Sequence, residues 1–267
     1  MTPFRCPVCR QPLVGEGGAL RCGKRHSFDL AAEGYVNLTV GKSGGGDSPA
    51  MCRGRHEFLT TGGYYRPFAE VIAREVAKHG AKAVCDAGCG EGFYLRTLRE
   101  TLPDAALVGL DLAKTSIKLA ARAEKGRENP ISYAVAGIFD MPLPDGAFDT
   151  VLSVFAPVPE AEAHRILKQN GILIVAHPGR DHLMGMKRLL YENPYENEEK
   201  DFTFAGFEKL YDLRTAYSVE VKGGQIQNLF LMTPYVWKTS REDADKLSAV
   251  PALVTELDFI LSVYRRV

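Results

Sequence analysis

Three cysteines and one histidine near the start of the chain have the spacing of a zinc site. Cys6 and Cys9 are separated by two residues, Cys22 follows after twelve more, and His26 after another three. Three thiolates and an imidazole form a tetrahedral set that zinc favours, and four protein ligands leave no position for a water nucleophile. The pattern predicts a structural zinc ion; the alternative is a coincidental set of free cysteines. The other cysteines lie outside this spacing and are predicted to be small packed residues: Cys52, Cys85 and Cys89.

A second chemical signal is the run Asp86-Ala-Gly88-Cys-Gly90-Glu-Gly92, between a predicted strand and a predicted helix. Glycines allow a tight turn and a close approach of the backbone to a ligand. The dinucleotide fingerprint G-x-G-x-x-G would require glycine at position 93, which is Phe93. Asp111 ends the next predicted strand, where its carboxylate can accept hydrogen bonds from two ribose hydroxyls. These features favour S-adenosylmethionine over NAD and assign five residues to its site: Asp86, Gly88, Gly90, Gly92 and Asp111.

The predicted strand that ends at Phe155 leads into Ala156-Pro157-Val158-Pro159, where methyltransferases meet the atom that they alkylate. Enzymes that methylate exocyclic amino groups of bases commonly carry (D/N)-P-P-(Y/F) here. The different sequence at this point argues against adenine N6 and cytosine N4 as the methylated atoms. Phe155 has two interpretations, a platform that stacks on an extruded base or a core residue at the end of a strand.

Three segments are predicted along the chain. Residues 1–38 form the zinc-binding module, which is too short for a hydrophobic core of its own, so that something other than burial must hold it. Residues 39–80 contain a glycine-rich linker, Gly41 to Pro49, and two helices. Residues 81–267 alternate strands with helices, which predicts an α/β, Rossmann-like methyltransferase domain with a parallel sheet covered on both faces. Two further strands are predicted at Leu213 to Val221 and Val254 to Tyr264.

Composition and charge limit the class of protein. The 267 residues are 45% hydrophobic and 25% charged, as in globular proteins. Because no apolar run is long enough to span a membrane and the start lacks a secretory signal, we expect a cytoplasmic protein without a membrane partner. The net charge is zero, yet residues 1–80 carry 11 Lys and Arg against 7 Asp and Glu. Basic residues surround the predicted zinc ligands, as either a nucleic-acid contact or a solvated face: Arg5, Arg10, Arg21, Lys24 and Arg25.

With these motifs in hand, the chain resembles the RlmA family, the large-subunit ribosomal RNA guanine-N1 methyltransferases that combine a zinc ribbon with a Rossmann-like methyltransferase domain. The resemblance covers nearly the full length. Beyond the motifs above it rests on five segments: Cys22-x3-His26-Ser-Phe-Asp29, Glu33-Gly-Tyr-Val-Asn-Leu38, Gly63-Tyr-Tyr-Arg-Pro67, Asp181-His-Leu183 and Met232-Thr-Pro234.

The resemblance implies methylation of guanine N1 in a hairpin loop of 23S ribosomal RNA, with S-adenosylmethionine as donor and structural zinc. It implies donor contacts by four residues: Tyr65, Gly90, Glu91 and His182. One branch of the family is associated with resistance to macrolides such as tylosin. The sequence at Phe93-Tyr94 and at 170–174 is closer to that branch. A homodimer is one assembly that the sequence leaves open.

Two departures from the family pattern are visible. An extra residue in the segment at 62–65 makes Tyr64 an alternative match to Tyr65, and Lys168-Gln-Asn-Gly171 replaces the commoner K-P-G-G. The first departure puts the identity of the donor-contacting tyrosine in doubt.

The mechanism requires removal of a proton, because N1 of free guanine is protonated at neutral pH. A nearby base, or donors that stabilise the O6 anion, must contribute, and the catalytic residue is left unassigned. His182 has three interpretations: this base, a donor contact or a structural residue. Two rival functions stay open, a small-molecule methyltransferase braced by a zinc module and an RNA-binding protein with a non-catalytic domain.

Overall fold

The N-terminal segment folds into a small antiparallel sheet. The computed structural model describes residues 2–41, 47–199 and 201–267. Strands β1 (Val14–Glu16), β2 (Ala19–Arg21) and β3 (Ser27–Asp29) pair in this order. The next strand, β4 (Val36–Asn37), leaves the small sheet and pairs in parallel with a strand of the central sheet. The zinc-binding segment therefore supplies an edge strand to the rest of the molecule.

The central sheet has eight strands in the part of the chain that the structure describes. After β4 come β5 (Ala83–Ala87), β6 (Ala106–Asp111), β7 (Ser132–Val135), β8 (Phe148–Val154), β9 (Leu167–Pro178), β10 (Phe207–Lys222) and β11 (Ala252–Arg266). Their order across the sheet is β10-β11-β9-β8-β5-β6-β7-β4. The pairs from β4 to β9 are parallel, whereas β11 runs antiparallel to both of its neighbours. Strands β5, β6, β8 and β9 thus end at one edge of the sheet.

Within the described residues, eight α-helices connect these strands: α1 (Pro49–His56), α2 (Arg66–Lys78), α3 (Phe93–Thr101), α4 (Lys114–Ala123), α5 (Glu160–Ile166), α6 (Met184–Leu190), α7 (Gly224–Leu231) and α8 (Arg241–Lys246). Ser48 caps α1, because its hydroxyl accepts a hydrogen bond from the Met51 amide at 3.3 Å. A π-helical segment, Glu57–Gly62, prolongs α1, and a short 3-10 helix, Pro234–Trp237, follows α7. None of the described helices is long and apolar enough to cross a bilayer.

Neighbouring residues of each strand enter different hydrophobic clusters, because side chains alternate across a sheet. Val84 and Leu107 pack with helices α2, α3 and α4, whereas Cys85 and Val108 face the opposite cluster. That second cluster contains buried residues of the zinc-binding segment: Phe4, Leu13, Leu20, Val36 and Leu38. The segment therefore covers part of one face of the sheet.

This packing corrects the expectation that something other than burial must hold residues 1–38. Their apolar side chains share a core with the central sheet, and the Arg5 amide donates to the Pro142 carbonyl at 2.8 Å. The division into units at 1–38, 39–80 and 81–267 stays a prediction about folding. The predicted linker is described only at Gly41 and from Asp47, and residues 42–46 lie outside the described part of the chain.

Candidate functional site

The four predicted zinc ligands converge in the N-terminal segment. Their ligand atoms all lie within 4.8 Å of one another. His26 Nδ1 lies 3.4 Å from both Cys6 Sγ and Cys22 Sγ, and the Sγ atoms of Cys9 and Cys22 are 3.6 Å apart. Tetrahedral zinc with Zn–S bonds of about 2.3 Å sets its ligand atoms about 3.5 to 3.8 Å apart, so the cluster fits the ion. Cys52, Cys85 and Cys89 are buried outside the cluster, as predicted.

The glycine run forms a loop after β5 whose backbone conformation requires glycine. Gly88 has φ +87°, and an added Cβ would lie 2.6 Å from the Cβ of Ala156. Gly92 has φ +76°, and its added Cβ would overlap the hydroxyl of Tyr133. Both positions combine a left-handed backbone with a close neighbour, so another side chain would be strained and crowded. The loop therefore places bare backbone at the sheet edge.

Asp111, at the end of β6, is hydrogen-bonded to the same loop. Its Oδ2 accepts from the Gly90 amide at 2.9 Å, and its Oδ1 accepts from the Ala113 amide at 2.7 Å. Burial raises the pKa of this carboxyl, while the two amides and Arg55 oppose the shift. The carboxylate is held in one orientation at the cavity wall, as a contact to ribose hydroxyls requires.

A cavity of about 970 Å³ opens where β5, β6, β8 and β9 end. This volume is at the upper end of the range of ligand sites, with room for more than a nucleoside-sized group. Six of the predicted donor-site residues line it: Tyr65, Gly88, Gly90, Glu91, Asp111 and His182. Because glycine backbone and an oriented carboxylate share this wall, the residues fit S-adenosylmethionine.

Asp86 and Gly92 are not among the described residues that line the cavity, and their contact with the donor stays a prediction. The Asp86 carboxyl is fully buried, and neither of its oxygens has a hydrogen-bond partner within the described residues. Burial, with the Asp111 and Glu91 carboxylates nearby, raises its pKa to about 8. Burial therefore favours the protonated, neutral form of Asp86 at pH 7.

Arg55 of α1 is a cavity residue that the donor prediction missed. Its guanidinium forms an ion pair with Asp47 and lies against Gly90. The positive charge also opposes the effect of burial on the pKa of Glu91. Arg55 follows a glycine-rich stretch without strand or helix periodicity, so its sequence context did not indicate the donor site.

The structure selects Tyr65 over Tyr64 as the tyrosine at the cavity. Tyr65 is buried at the wall, where its hydroxyl lies 3.2 Å from His182 Nε2. Tyr64 instead stacks on Phe58, with ring centroids 4.9 Å apart. The extra residue in this segment therefore does not move the cavity tyrosine from its predicted position.

His182 is neutral and has one defined tautomer. Its Nδ1 accepts a hydrogen bond from the Asp258 amide at 3.2 Å, so the ring proton belongs to Nε2, which donates to the Tyr65 hydroxyl. Burial lowers the pKa of His182 to about 3. With both nitrogens engaged, the ring has no free lone pair for a substrate proton. Of the three interpretations, this geometry argues against the base and leaves open donor contact and a structural role.

Phe155 lies where β8 ends and faces the cavity. Its backbone has φ +53°, which is uncommon for a residue other than glycine. The ring stacks on His182 with centroids 6.1 Å apart and remains 42% exposed. A strained backbone that exposes an aromatic ring to a cavity favours the stacking interpretation over the core one.

Two of the basic residues around the zinc ligands are paired with acidic side chains. Arg10 forms an ion pair with Asp140, beyond the zinc segment, and Arg21 pairs with Glu16. Lys24 and Arg25 are exposed. The ion pair of Arg10 joins the zinc segment to the cavity rim, because Asp140 also lines the cavity.

Comparison with known proteins matches both halves of this arrangement. A family model described as the N-terminal part of RlmA, a zinc ribbon, matches residues 4–39, and a methyltransferase-domain model matches residues 85–175. The Bacillus subtilis protein YxjB, assigned by name as a 23S rRNA (guanine-N(1)-)-methyltransferase, is 30% identical over 97% of this chain and 96% of its own. A Micromonospora griseorubida protein assigned the same activity by name is 31% identical over 95% and 92%.

A third relative, the 23S rRNA (guanine(748)-N(1))-methyltransferase of Streptomyces fradiae, is 40% identical over 67% of this chain and 65% of its own. The predictions of a Rossmann-like domain, a zinc ribbon and S-adenosylmethionine are thereby confirmed. Since two relatives at 30% identity or more align along nearly the whole chain, it belongs to the RlmA family of 23S rRNA (guanine-N1)-methyltransferases and is a methyltransferase that uses S-adenosylmethionine.

Proposed function

We propose that this protein methylates N1 of a guanine in a hairpin loop of 23S ribosomal RNA. The observation that carries the proposal is one continuous cavity that contains both the donor loop and the exposed ring of Phe155. The names of the three relatives support the substrate class. The cytoplasmic location and the homodimer that the sequence left open remain predictions.

When bound, S-adenosylmethionine would supply an electrophilic methyl group to guanine N1 and leave as S-adenosylhomocysteine, while the N1 proton would pass to solvent water. Asp111 would hold the ribose of the donor. The backbone at Gly88 and Gly90 would lie close to the bound donor. The Ala156 side chain packs on Gly88, so the neighbouring Phe155 lies beside the donor loop. A guanine stacked on Phe155 would lie next to the donor, and such positioning contributes much of the rate in bimolecular transfers.

Tyr65 provides a hydroxyl group whose proton is not used in its hydrogen bond with His182. Its oxygen accepts from His182 Nε2, and burial keeps its pKa above the usual range, so the phenol remains protonated. A neutral phenol at the cavity wall can donate a hydrogen bond to a bound group. We assign Tyr65 and His182 to binding and orientation rather than to proton removal.

The test uses purified protein, a transcript of the 23S hairpin and donor labelled at the methyl group. Label should enter the RNA, and mass spectrometry of the digested RNA should find 1-methylguanosine. The modification should stop primer extension at one guanine, because a methyl group at N1 blocks pairing. Asp111→Ala should transfer less label at the same donor concentration. Label in a different base or ring atom, or no transfer to RNA, would reject the proposal.

The position of the target is the finer part of this proposal. The Streptomyces fradiae relative is named for guanine 748. The sequence of this chain at residues 93–94 and 170–174 is closer to the resistance-associated branch. We therefore place the stop at the guanine equivalent to 748 and expect lower tylosin susceptibility in cells that express the protein. A primer-extension stop at a neighbouring guanine would support the proposed activity but would assign the protein to another branch of the family.

A further inference from the structure

We propose that Trp237 and Tyr195 form a stacking platform for an unstacked RNA base that flanks the target guanine. This inference rests on the proposed function, because it takes the substrate to be RNA. Trp237 is 72% exposed and Tyr195 is 49% exposed, yet both line the cavity that contains the donor loop. Large aromatic rings on the wall of a concave site are the usual means by which proteins hold single-stranded bases.

Trp237 combines a hydrogen-bonded backbone segment with an exposed side chain. Trp237 ends the short 3-10 helix Pro234–Trp237. The carbonyl of Tyr235 in this helix accepts from the amides of Lys238 and Thr239, both at 2.9 Å. Tyr235 itself is buried. The indole is therefore displayed from a fixed element, which reduces the loss of conformational entropy when a ligand stacks on it.

Tyr195 is held by a buried cation. Lys187 of α6 is fully buried, and its Nζ donates to the Tyr195 carbonyl at 2.8 Å and to Asn197 Oδ1 at 2.7 Å. The same Nζ lies 4.6 Å from the centroid of the Tyr195 ring and 5.8 Å from that of Tyr235. This cation–π contact holds the Tyr195 ring in place, and about half of the residue stays exposed at the cavity.

The ring of Tyr195 and the short helix that carries Trp237 pack against the same residue, Tyr191. The Tyr191 ring lies 5.9 Å from that of Tyr195 and 6.3 Å, edge on, from that of Tyr235, two residues before Trp237. The Tyr191 hydroxyl is 2.9 Å from the Thr239 hydroxyl, which ties the segment after α6 to the segment after α7. We call Trp237 and Tyr195, with this support, the aromatic platform.

The platform and the proposed position of the target base come from different segments of the chain. Phe155 is next to Ala156, which packs on Gly88 of the donor loop, whereas Trp237 ends the short helix whose Tyr235 contacts Tyr191. Lys238 follows Trp237 and also lines the cavity, where it can pair with a backbone phosphate. An aromatic ring beside a cation suits a nucleotide that adjoins the target.

Fluorescence tests the stacking directly, because Trp237 is the sole tryptophan of the chain. Titration of the donor-saturated protein with the hairpin RNA should quench its emission. A hairpin that is abasic at the target guanine should still quench, whereas one that is abasic at the flanking position should not. Unchanged tryptophan emission at RNA concentrations that saturate methylation would overturn the inference, as would loss of quenching only with the abasic target.

Kinetics supply the second test. Trp237→Ala should raise KM for the hairpin by about 5- to 100-fold, the usual effect of losing one stacked base, with donor affinity unchanged. Trp237→Phe should stay near wild type, and Tyr195→Ala should resemble Trp237→Ala. Val254→Ala, which alters an exposed residue away from the cavity, is the matched control. If wild type methylates the hairpin and Trp237→Ala has the same KM, the platform is wrong while the function stands. If wild type methylates no RNA, both proposals fail.

Discussion

The zinc-binding segment and the donor cavity are built in opposite ways. The four zinc ligands lie within 21 consecutive residues, and their ligand atoms lie within 4.8 Å of one another. The donor cavity collects residues from Asp47 to Lys238, at the ends of strands that are distant in sequence. A metal site of this kind follows from local spacing, whereas a cavity requires the finished sheet.

The two regions are nevertheless coupled through the sheet. Strand β4 of the zinc-binding segment pairs with β7, which pairs with β6, and β6 ends at Asp111. Arg10 of the same segment forms an ion pair with Asp140 at the cavity rim. The comparison teaches that a small metal module can be part of a catalytic domain's core rather than an appendage. The predictions below test this coupling.

Loss of the metal should have the largest effect. Cys9→Ser, or chelation, should lower the free energy of unfolding of the whole chain by about 5 kcal/mol or more, since metal binding supplies folding energy and the segment shares a core with the sheet. Calorimetry should show one transition at a lower temperature. Cys52→Ala is the control, because Cys52 is buried outside the cluster and should leave the zinc content unchanged. A separate transition of residues 1–38 with an unaltered main one would show that the regions are independent.

Gly92→Ala should have the second-largest effect on stability. The substitution forces a side chain into a left-handed backbone and against Tyr133, with an expected cost of about 2 to 5 kcal/mol in unfolding free energy. Gly126→Ala is the matched control, since Gly126 has φ +84° with nothing within 4 Å of the added Cβ. It should cost about 1 kcal/mol. Equal losses in the two variants, measured by denaturant titration, would show that contact with Tyr133 is unimportant.

Asp111→Ala should weaken donor binding by about 1.5 to 3 kcal/mol, the usual contribution of hydrogen bonds to a charged group. Asp149 is the control, because its carboxylate also accepts from two backbone amides, those of Lys82 and Ala83, but at the opposite end of β5. Asp149→Ala should reduce stability without changing donor affinity. Calorimetric titration would measure both, and an unchanged affinity for Asp111→Ala would mean that its carboxylate points away from the donor.

Asp86 should make stability depend on pH. Its pKa rises from 3.8 to about 8 on folding, so the folded state binds the extra proton between these values. Stability should therefore fall as pH increases through this window, by at most about 1.4 kcal/mol per pH unit. Asp86→Asn should remove this decline. Denaturation at several pH values would measure it, and identical profiles for the two proteins would show that Asp86 is already ionised.

The smallest expected effect concerns RNA binding by the zinc-binding segment. Lys24→Glu with Arg25→Glu should weaken hairpin binding and reduce the log–log salt slope by about 0.7 to 0.9 for each lost phosphate contact, with donor affinity unchanged. Arg10→Glu should differ, because Arg10 is paired with Asp140 and its reversal would disturb the junction to the cavity. Slopes equal to wild type would assign Lys24 and Arg25 to a solvated face.

Local pattern was sufficient where neighbours in sequence are neighbours in space. The spacing of Cys6, Cys9, Cys22 and His26 predicted the zinc cluster, and strand–loop–helix order around Gly88 predicted the donor loop. The alternation of strands and helices after residue 81 predicted the parallel sheet, because hydrophobic periodicity reports local structure.

Only the tertiary structure decided which side chains reach the cavity. Burial of Asp86, the hydrogen bond from the Asp258 amide to His182, and the exposure of Trp237 depend on segments that are far apart in the chain. The packing of Phe4 and Leu20 in one core with the central sheet also depends on segments that are far apart in the chain. The zinc ligands, the donor loop and the sheet were determined by the sequence itself. The cavity wall was decided by packing, since a residue's exposure and hydrogen-bond partners depend on the elements that fold against it.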